Sequence, residues 1–259
     1  MATTLSPALE LAIRLDPSLL MEAAGFDPDP WQRRMLRSGS KRLLLLASRQ
    51  SGKSECAGFL VLHEALFRPE SLILLVSRSE RQSGELFQKK VVANYDRLGR
   101  PVGAVRELQF SLELANGSRI IALPGDNPAT IRCFSGVWMV AVDEAALCLD
   151  SLFTAVRPML GTTDGKMVCL STPFGRRGWF YEQWTGADPT WERIISKAVD
   201  CPRISAEFLA EERRMLGPAM FAQEHECEFV EATGQVFSTE SIEAVFQKTD
   251  EDIPILAGF

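Results

Sequence analysis

What this sequence lacks narrows its role before any motif is read. Its longest apolar runs, Leu43–Ala47 and Gly136–Val142, fall far short of the roughly 20 residues that a membrane-spanning helix needs. The six cysteines (Cys56, Cys133, Cys148, Cys169, Cys201 and Cys227) form no C-x-x-C pair. Most lie in apolar runs, which suits small buried residues in a reducing compartment better than disulfides or zinc ligands. There is no basic excess either: 28 Lys and Arg stand against 34 Asp and Glu, a net charge of −6. That balance does not announce a nucleic-acid binder, although a local basic strip would be enough for one. The opening "MATTLSPALELAIRLDPSLL" carries Glu10 and Asp16 without a basic stretch, so it does not read as a secretion signal. Internal repeats and low-complexity segments are also missing. A 259-residue chain that is 46% hydrophobic and 24% charged reads as a soluble globular protein, either one large domain or a domain with an appendage.

What is present is an alternation of strand and helix. An apolar-periodic stretch, Leu9–Leu20, reads as helix, and "GFDPDPWQRRML" after it reads as loop. "LLLLA" is a continuous apolar run suited to a central strand, and "KSECAGFLVLHEALF" follows as a helix. "SLILLVS" (71–77) is a second strand, followed by a helical "SGELFQKKVVANYDRL". The stretch 108–125 alternates around Asn116-Gly117, a strong hairpin signal. "VWMVAV" and "KMVCLS" supply two further core strands. This pattern predicts an α/β fold with a mainly parallel sheet flanked by helices. Beyond about residue 195 the strand signal fades, and two helices broken at Gly217-Pro218 predict a small helical appendage.

Chemistry concentrates where strands end. The loop Ser48, Arg49, Gln50, Ser51, Gly52, Lys53, Ser54 follows a strand and opens a helix, the context that gives a phosphate-binding loop its meaning. Backbone amides at a helix N-terminus, helped by the helix dipole, favour phosphate. Gly52 allows close approach, Lys53 reaches the β- and γ-phosphates of ATP, and the Ser54 hydroxyl is offered to Mg²⁺. A second apolar strand ends in Asp143-Glu144, at the edge where parallel sheets bind ligands. Asp143 would hold the Mg²⁺ hydration shell, and Glu144 would polarise the attacking water. Taken alone, the acidic pair could equally be a helix cap. "CLSTPFG" (169–175) is a third strand end, running into Ser171-Thr172-Pro173; a hydroxyl or amide there could contact the γ-phosphate, or the segment could simply enter a turn. The leading position of the loop holds Ala47, which costs little where the backbone stays extended. Arg49 could add a clamp on the phosphates, could face solvent, or could pair with a helix carboxylate.

Together, "SRQSGKS", "WMVAVDEAAL", "LSTPFGRRGWFYEQW" and "FAQEHECEFVEATGQVF" resemble the large terminase of tailed bacteriophages, over roughly residues 25–240. The resemblance implies a P-loop ATPase of the additional-strand, catalytic-glutamate type, with an arginine in the phosphate loop as a normal feature. It implies that ATP hydrolysis drives double-stranded viral DNA into a procapsid. The portal protein, the small terminase subunit and further copies in a ring would be partners, in the host-cell cytoplasm and without a membrane. By the same resemblance Gln32 of "DPWQ" would recognise adenine, with Trp31 packing beside it or anchoring the N-terminal segment. Arg132 of "TIRCFSG" would be a finger reaching a neighbouring subunit's ATP, and Thr172 would couple hydrolysis to movement. Cys133 stands where many relatives have glycine.

The implied organisation is an N-terminal segment 1–40, an ATPase core 41–194, a lid 195–245 and a linker 246–259. The linker, with Asp250, Glu251 and Asp252 before "IPILAGF", would lead towards a nuclease domain, making the chain an ATPase-domain fragment. A naturally nuclease-free form is the alternative. DNA would be gripped through its phosphates, and Arg78/Arg81, Lys89/Lys90, Arg97/Arg100 and Arg176/Arg177 are basic clusters that could serve or could be ordinary solvated faces. The rival readings are a helicase-like translocase and an ATP-dependent structural switch with little turnover.

Overall fold

The structure, a computed structural model, describes residues 6–231. Eight strands form one sheet: β1 (Arg42–Ala47), β2 (Leu72–Ser77), β3 (Ala104–Leu108), β4 (Ser111–Leu114), β5 (Arg119–Pro124), β6 (Val137–Asp143), β7 (Lys166–Ser171) and β8 (Glu192–Ser196). Their order is β3-β4-β5-β2-β6-β7-β1-β8. Five of the seven pairings are parallel, and β3-β4-β5 make an antiparallel edge. The mainly parallel α/β sheet expected from the strand–helix alternation is what the chain forms.

Burial on both faces explains why the central strands read as unbroken apolar runs. Leu43, Leu45 and Ala47 join Ile73, Leu75, Met139, Ala141 and Leu170 in one core. Leu44 and Leu46 join Leu74, Val76, Val140, Val142 and Cys169 in the other. The first face is covered by the helix Lys53–Phe67 and the N-terminal helices, and the second by the helices Asp150–Val156 and Gly178–Thr185. Asn116-Gly117 turns β4 into β5, with Gly117 at φ 81°. Five of the six cysteines are buried; Cys133 is exposed.

Four expectations are corrected. The Leu9–Leu20 stretch is two helices, Pro7–Leu15 and Leu19–Ala23, because Asp16 leaves helical geometry and Pro17 follows it. The supposed loop "GFDPDPWQRRML" contains the helix Pro30–Arg37, which starts on a proline in its first turn. Strands β3 and β8 escaped notice because they are edges with weak alternation: every residue of β3 is exposed, and β8 begins Glu192-Arg193. The helix after β2 is not uniform, running from Glu80 to Leu86 as α, through Phe87–Val92 as a π segment, then Ala93–Arg97 as α. Such a π turn inside a helix often marks a functional region. Here it lies against Gly58, where even one added carbon would sit 2.5 Å from the Lys90 carbonyl.

In the long C-terminal helix Ala206–His225, Gly217 takes non-helical φ 74°, ψ 167° ahead of Pro218, so the expected break at Gly217-Pro218 is there as a kink. The readings made for 232–259, including the end of the lid, the acidic linker and "IPILAGF", lie outside the described residues.

Candidate active site

The C-terminal ends of β1, β2, β6 and β7 open onto one cleft of about 780 Å³. It is lined by Arg49, Gln50, Gly52, Lys53 and Ser54 from the loop after β1, by Glu144 after β6, and by Thr172 after β7. The loop takes this shape because Gln50 (φ 60°) and Gly52 (φ 93°) both adopt left-handed backbone. Turns of that kind bring successive N–H groups to one concave side. Ser51 stiffens the loop from within, its hydroxyl donating to the Ser48 carbonyl at 2.8 Å.

Two side-chain pairs join the ends of β1 and β6. Lys53 Nζ stands 2.8 Å from Glu144 Oε1, and Ser54 Oγ donates to Asp143 Oδ2 at 2.7 Å. Asp143 is buried. Burial pushes its carboxyl above the usual carboxylate range, while the Lys53 ammonium opposes that rise. Glu144 sits in left-handed backbone (φ 52°), a conformation that costs a non-glycine residue about 1–3 kcal/mol and clusters at functional sites. Its turn is fastened to β7: the Ala146 N–H donates to Ser171 Oγ at 3.1 Å.

The remaining sequence candidates divide. Thr172 lines the cleft. Arg49 also lines it, and its guanidinium Nε lies 2.5 Å from Glu224 Oε2 on the C-terminal helix, the carboxylate pairing among its readings. Ser48 is fully buried and not among the residues lining the cleft, its N–H donating to the Ser196 carbonyl at 2.9 Å. Trp31 is buried in the core beneath the first face of the sheet, as an anchor. Gln32 is buried behind the loop: its Oε1 accepts from the Asp29 N–H at 2.8 Å and its Nε2 reaches the Gly52 carbonyl at 3.5 Å. Arg132 stands apart from the cleft, exposed just after the helix Pro128–Ile131.

Three contributors were missed. Arg203 forms a bidentate pair with Asp29 (2.9 and 2.6 Å) and also donates to the Ser51 carbonyl at 3.0 Å, bracing the loop from the β8 side. Glu224 holds Arg49. Lys90 of the π segment lines the cleft and pairs with Glu55 at 2.5 Å. Only "DPWQ" signalled part of this, since an Asp followed three residues later by Gln is a helix-start pattern. Most basic clusters weighed for DNA are engaged locally. Arg100 pairs with Asp96 and Glu107 (2.7 and 2.8 Å), Arg97 covers the Phe26 ring, Arg177 lies over Phe174, and Arg176 donates to the Phe229 carbonyl.

The family described as "Terminase large subunit, T4likevirus-type, N-terminal" matches residues 44–244. The chain belongs to the terminase large-subunit family. It is 28% identical over 262 aligned positions to a large terminase subunit of Thermus virus P23-45, a match covering 87% of this chain and 53% of that protein. The large terminase subunit of Thermus phage G20c is 29% identical with the same coverage. The chain therefore spans about half the length of these curated relatives. Among solved structures, the large terminase ATPase domain of Thermus phage P74-26 superposes with a TM-score of 0.72 at 26% identity, covering 81% of this chain and 97% of that domain. The large terminase of a second, thermophilic bacteriophage shares the fold (TM-score 0.66, 14% identity, 83% and 57% covered).

Proposed function

We propose that this terminase chain binds Mg²⁺-ATP in the cleft and hydrolyses it to ADP and phosphate, as the ATPase part of a motor that moves double-stranded viral DNA into a procapsid. The observation that carries the reading is the pairing of Lys53 with Glu144 at 2.8 Å, beside Ser54 and Asp143 at 2.7 Å. A polyphosphate entering the loop would draw Lys53 onto its oxygens and free the Glu144 carboxylate. Glu144 would then accept the proton of a water aligned with the γ-phosphorus. The water oxygen bonds to the γ-phosphorus as the P–O bond to the β–γ bridging oxygen breaks, so phosphate forms and ADP leaves with the bridging oxygen.

A hydroxyl and one buried carboxylate suit Mg²⁺, which keeps most of its waters and phosphate ligands rather than an all-protein cage. Ser54 and Asp143 would hold it, and it would offset charge on the β- and γ-oxygens. The relatives support the nucleotide: the P74-26 structure is named an ATPase domain, and the large terminase of the thermophilic bacteriophage has been solved with ADP and with ATP-γ-S. Arg132, exposed and outside the cleft, suits a finger acting on a neighbouring copy's ATP in a ring. The portal protein and small terminase subunit, the host cytoplasm, and the division into N-terminal segment, core and lid all belong to this same reading. Among the described residues no helix is long and apolar enough to cross a membrane.

Glu144→Gln tests it. Phosphate release should fall about 10²–10⁴-fold, the usual worth of a general base, while binding of ATP-γ-S stays. Undiminished turnover would remove Glu144 from the base role.

A further inference from the structure

The charges lining the cleft are matched with one exception. Lys53 is paired with Glu144, Lys90 with Glu55 and Arg49 with Glu224. Arg78 also lines the cleft, is exposed, and makes no hydrogen bond or ion pair among the described residues. Its place in the sheet is specific. It follows β2 directly, and β2 is the neighbour of β6 on the side away from β7 and β1. Arg78 thus approaches Glu144 from the flank opposite the phosphate loop. Cys148 lies on the same flank. The Cys148 thiol donates to the Glu144 carbonyl at 3.7 Å. Burial pushes that thiol up to about 12, and the Arg78 charge is near enough to pull against the rise.

A triphosphate whose β- and γ-oxygens meet Lys53 projects its terminal phosphoryl group towards Glu144 and so towards this unpaired guanidinium. Guanidinium geometry matches two phosphate oxygens at once. We propose that Arg78 binds the terminal phosphoryl group of the nucleotide within its own subunit, making the cleft prefer a triphosphate over a diphosphate. This rests on the nucleotide reading of the cleft and moves Arg78 from the DNA candidates to the nucleotide site. A diphosphate ends short of the β2 flank and leaves Arg78 in solvent, so the residue adds affinity for the triphosphate only.

The test is calorimetric titration of the whole chain, in Mg²⁺, with ATP-γ-S and with ADP, for the unaltered protein, Arg78→Ala and Arg78→Lys. A charge-assisted contact of this kind predicts that Arg78→Ala weakens ATP-γ-S binding about tenfold and leaves ADP within about twofold. Arg78→Lys should recover part of the loss, because it keeps the charge and loses the fork. Equal weakening of both nucleotides, or of neither, overturns the proposal. So does an unchanged nucleotide ratio accompanied by lost DNA binding, which would return Arg78 to the DNA. If the unaltered protein binds neither nucleotide, the reading of the cleft itself fails, a result distinct from any of these.

Discussion

The floor and the roof of the cleft are built on different principles. The floor is Lys53, Ser54, Asp143 and Glu144, fixed at the ends of β1 and β6 by a sheet with two apolar faces. Lys53 and Asp143 are buried and Ser54 and Glu144 half-buried, with Lys53 only 10% exposed. The roof is the bent helix Ala206–His225, which offers Met220, Gln223 and Glu224 to the same cleft. It is tied down by polar contacts to the loop, and its partner Arg49 is 69% exposed. Coulombic attraction is strong where water is excluded and weak where it is not. The floor is therefore a fixed frame, and the roof is a cover whose attachment is cheap to break and remake.

Substitutions can press on that contrast, beginning with the floor. Lys53→Ala should remove the cation that meets the phosphates and lower kcat/KM for ATP by about 10²–10³-fold, read by phosphate release. A small change would mean that the floor is not where the polyphosphate sits. Arg203→Gln acts at the seam, where Asp29 is buried but the arginine is half exposed. Losing its bidentate pair should cost about 1–2 kcal/mol, lower Tm by about 3–6 °C, and raise KM severalfold as the Ser51 carbonyl loses its brace. An unaltered Tm and KM would show that the loop stands without help from the β8 side. Glu224→Gln acts on the roof alone. The pair is open to water on the Arg49 side, 69% exposed against 15% for Glu224, which holds its worth to about 1 kcal/mol, so thermal unfolding should shift by no more than about 2–4 °C and turnover by less than threefold. A tenfold loss of turnover would abolish the distinction, giving the cover the rank of the frame.

The same contrast explains what could be read from the chain. The frame was legible because it is local: an apolar strand, a loop with glycine at a left-handed position, an acidic pair after another apolar strand. Each of these signals occupies about ten residues, and burial on both faces makes the strands conspicuous. The braces were not legible because they join distant positions, Arg203 to Asp29 across 174 residues and Arg49 to Glu224, with ordinary charged residues that any surface would carry. Edge strands β3 and β8 were hidden for related reasons: β3 has no covered face and so needs no apolar pattern, while β8 buries only Ile194 and Ser196 behind its opening Glu192-Arg193. Gln32 shows the limit in another way: the residue was singled out for its side-chain amide, but the contacts of that amide to the Asp29 N–H and the Gly52 carbonyl only the fold could reveal.

The contact between Gly58 and the Lys90 carbonyl has a mechanical meaning. At that spacing the two helices have no clearance to slide or roll over one another, and the Lys90 and Asn94 side chains both grip Glu55 beside it. Further along the same helix, Phe110 from the turn between β3 and β4 presses on Gly84 in similar fashion. The outer edge of the sheet is thus geared to the helix Lys53–Phe67 that opens beneath the loop 48–54. A push delivered at that edge travels as one rigid linkage, and the give in the machine has to come from the cover.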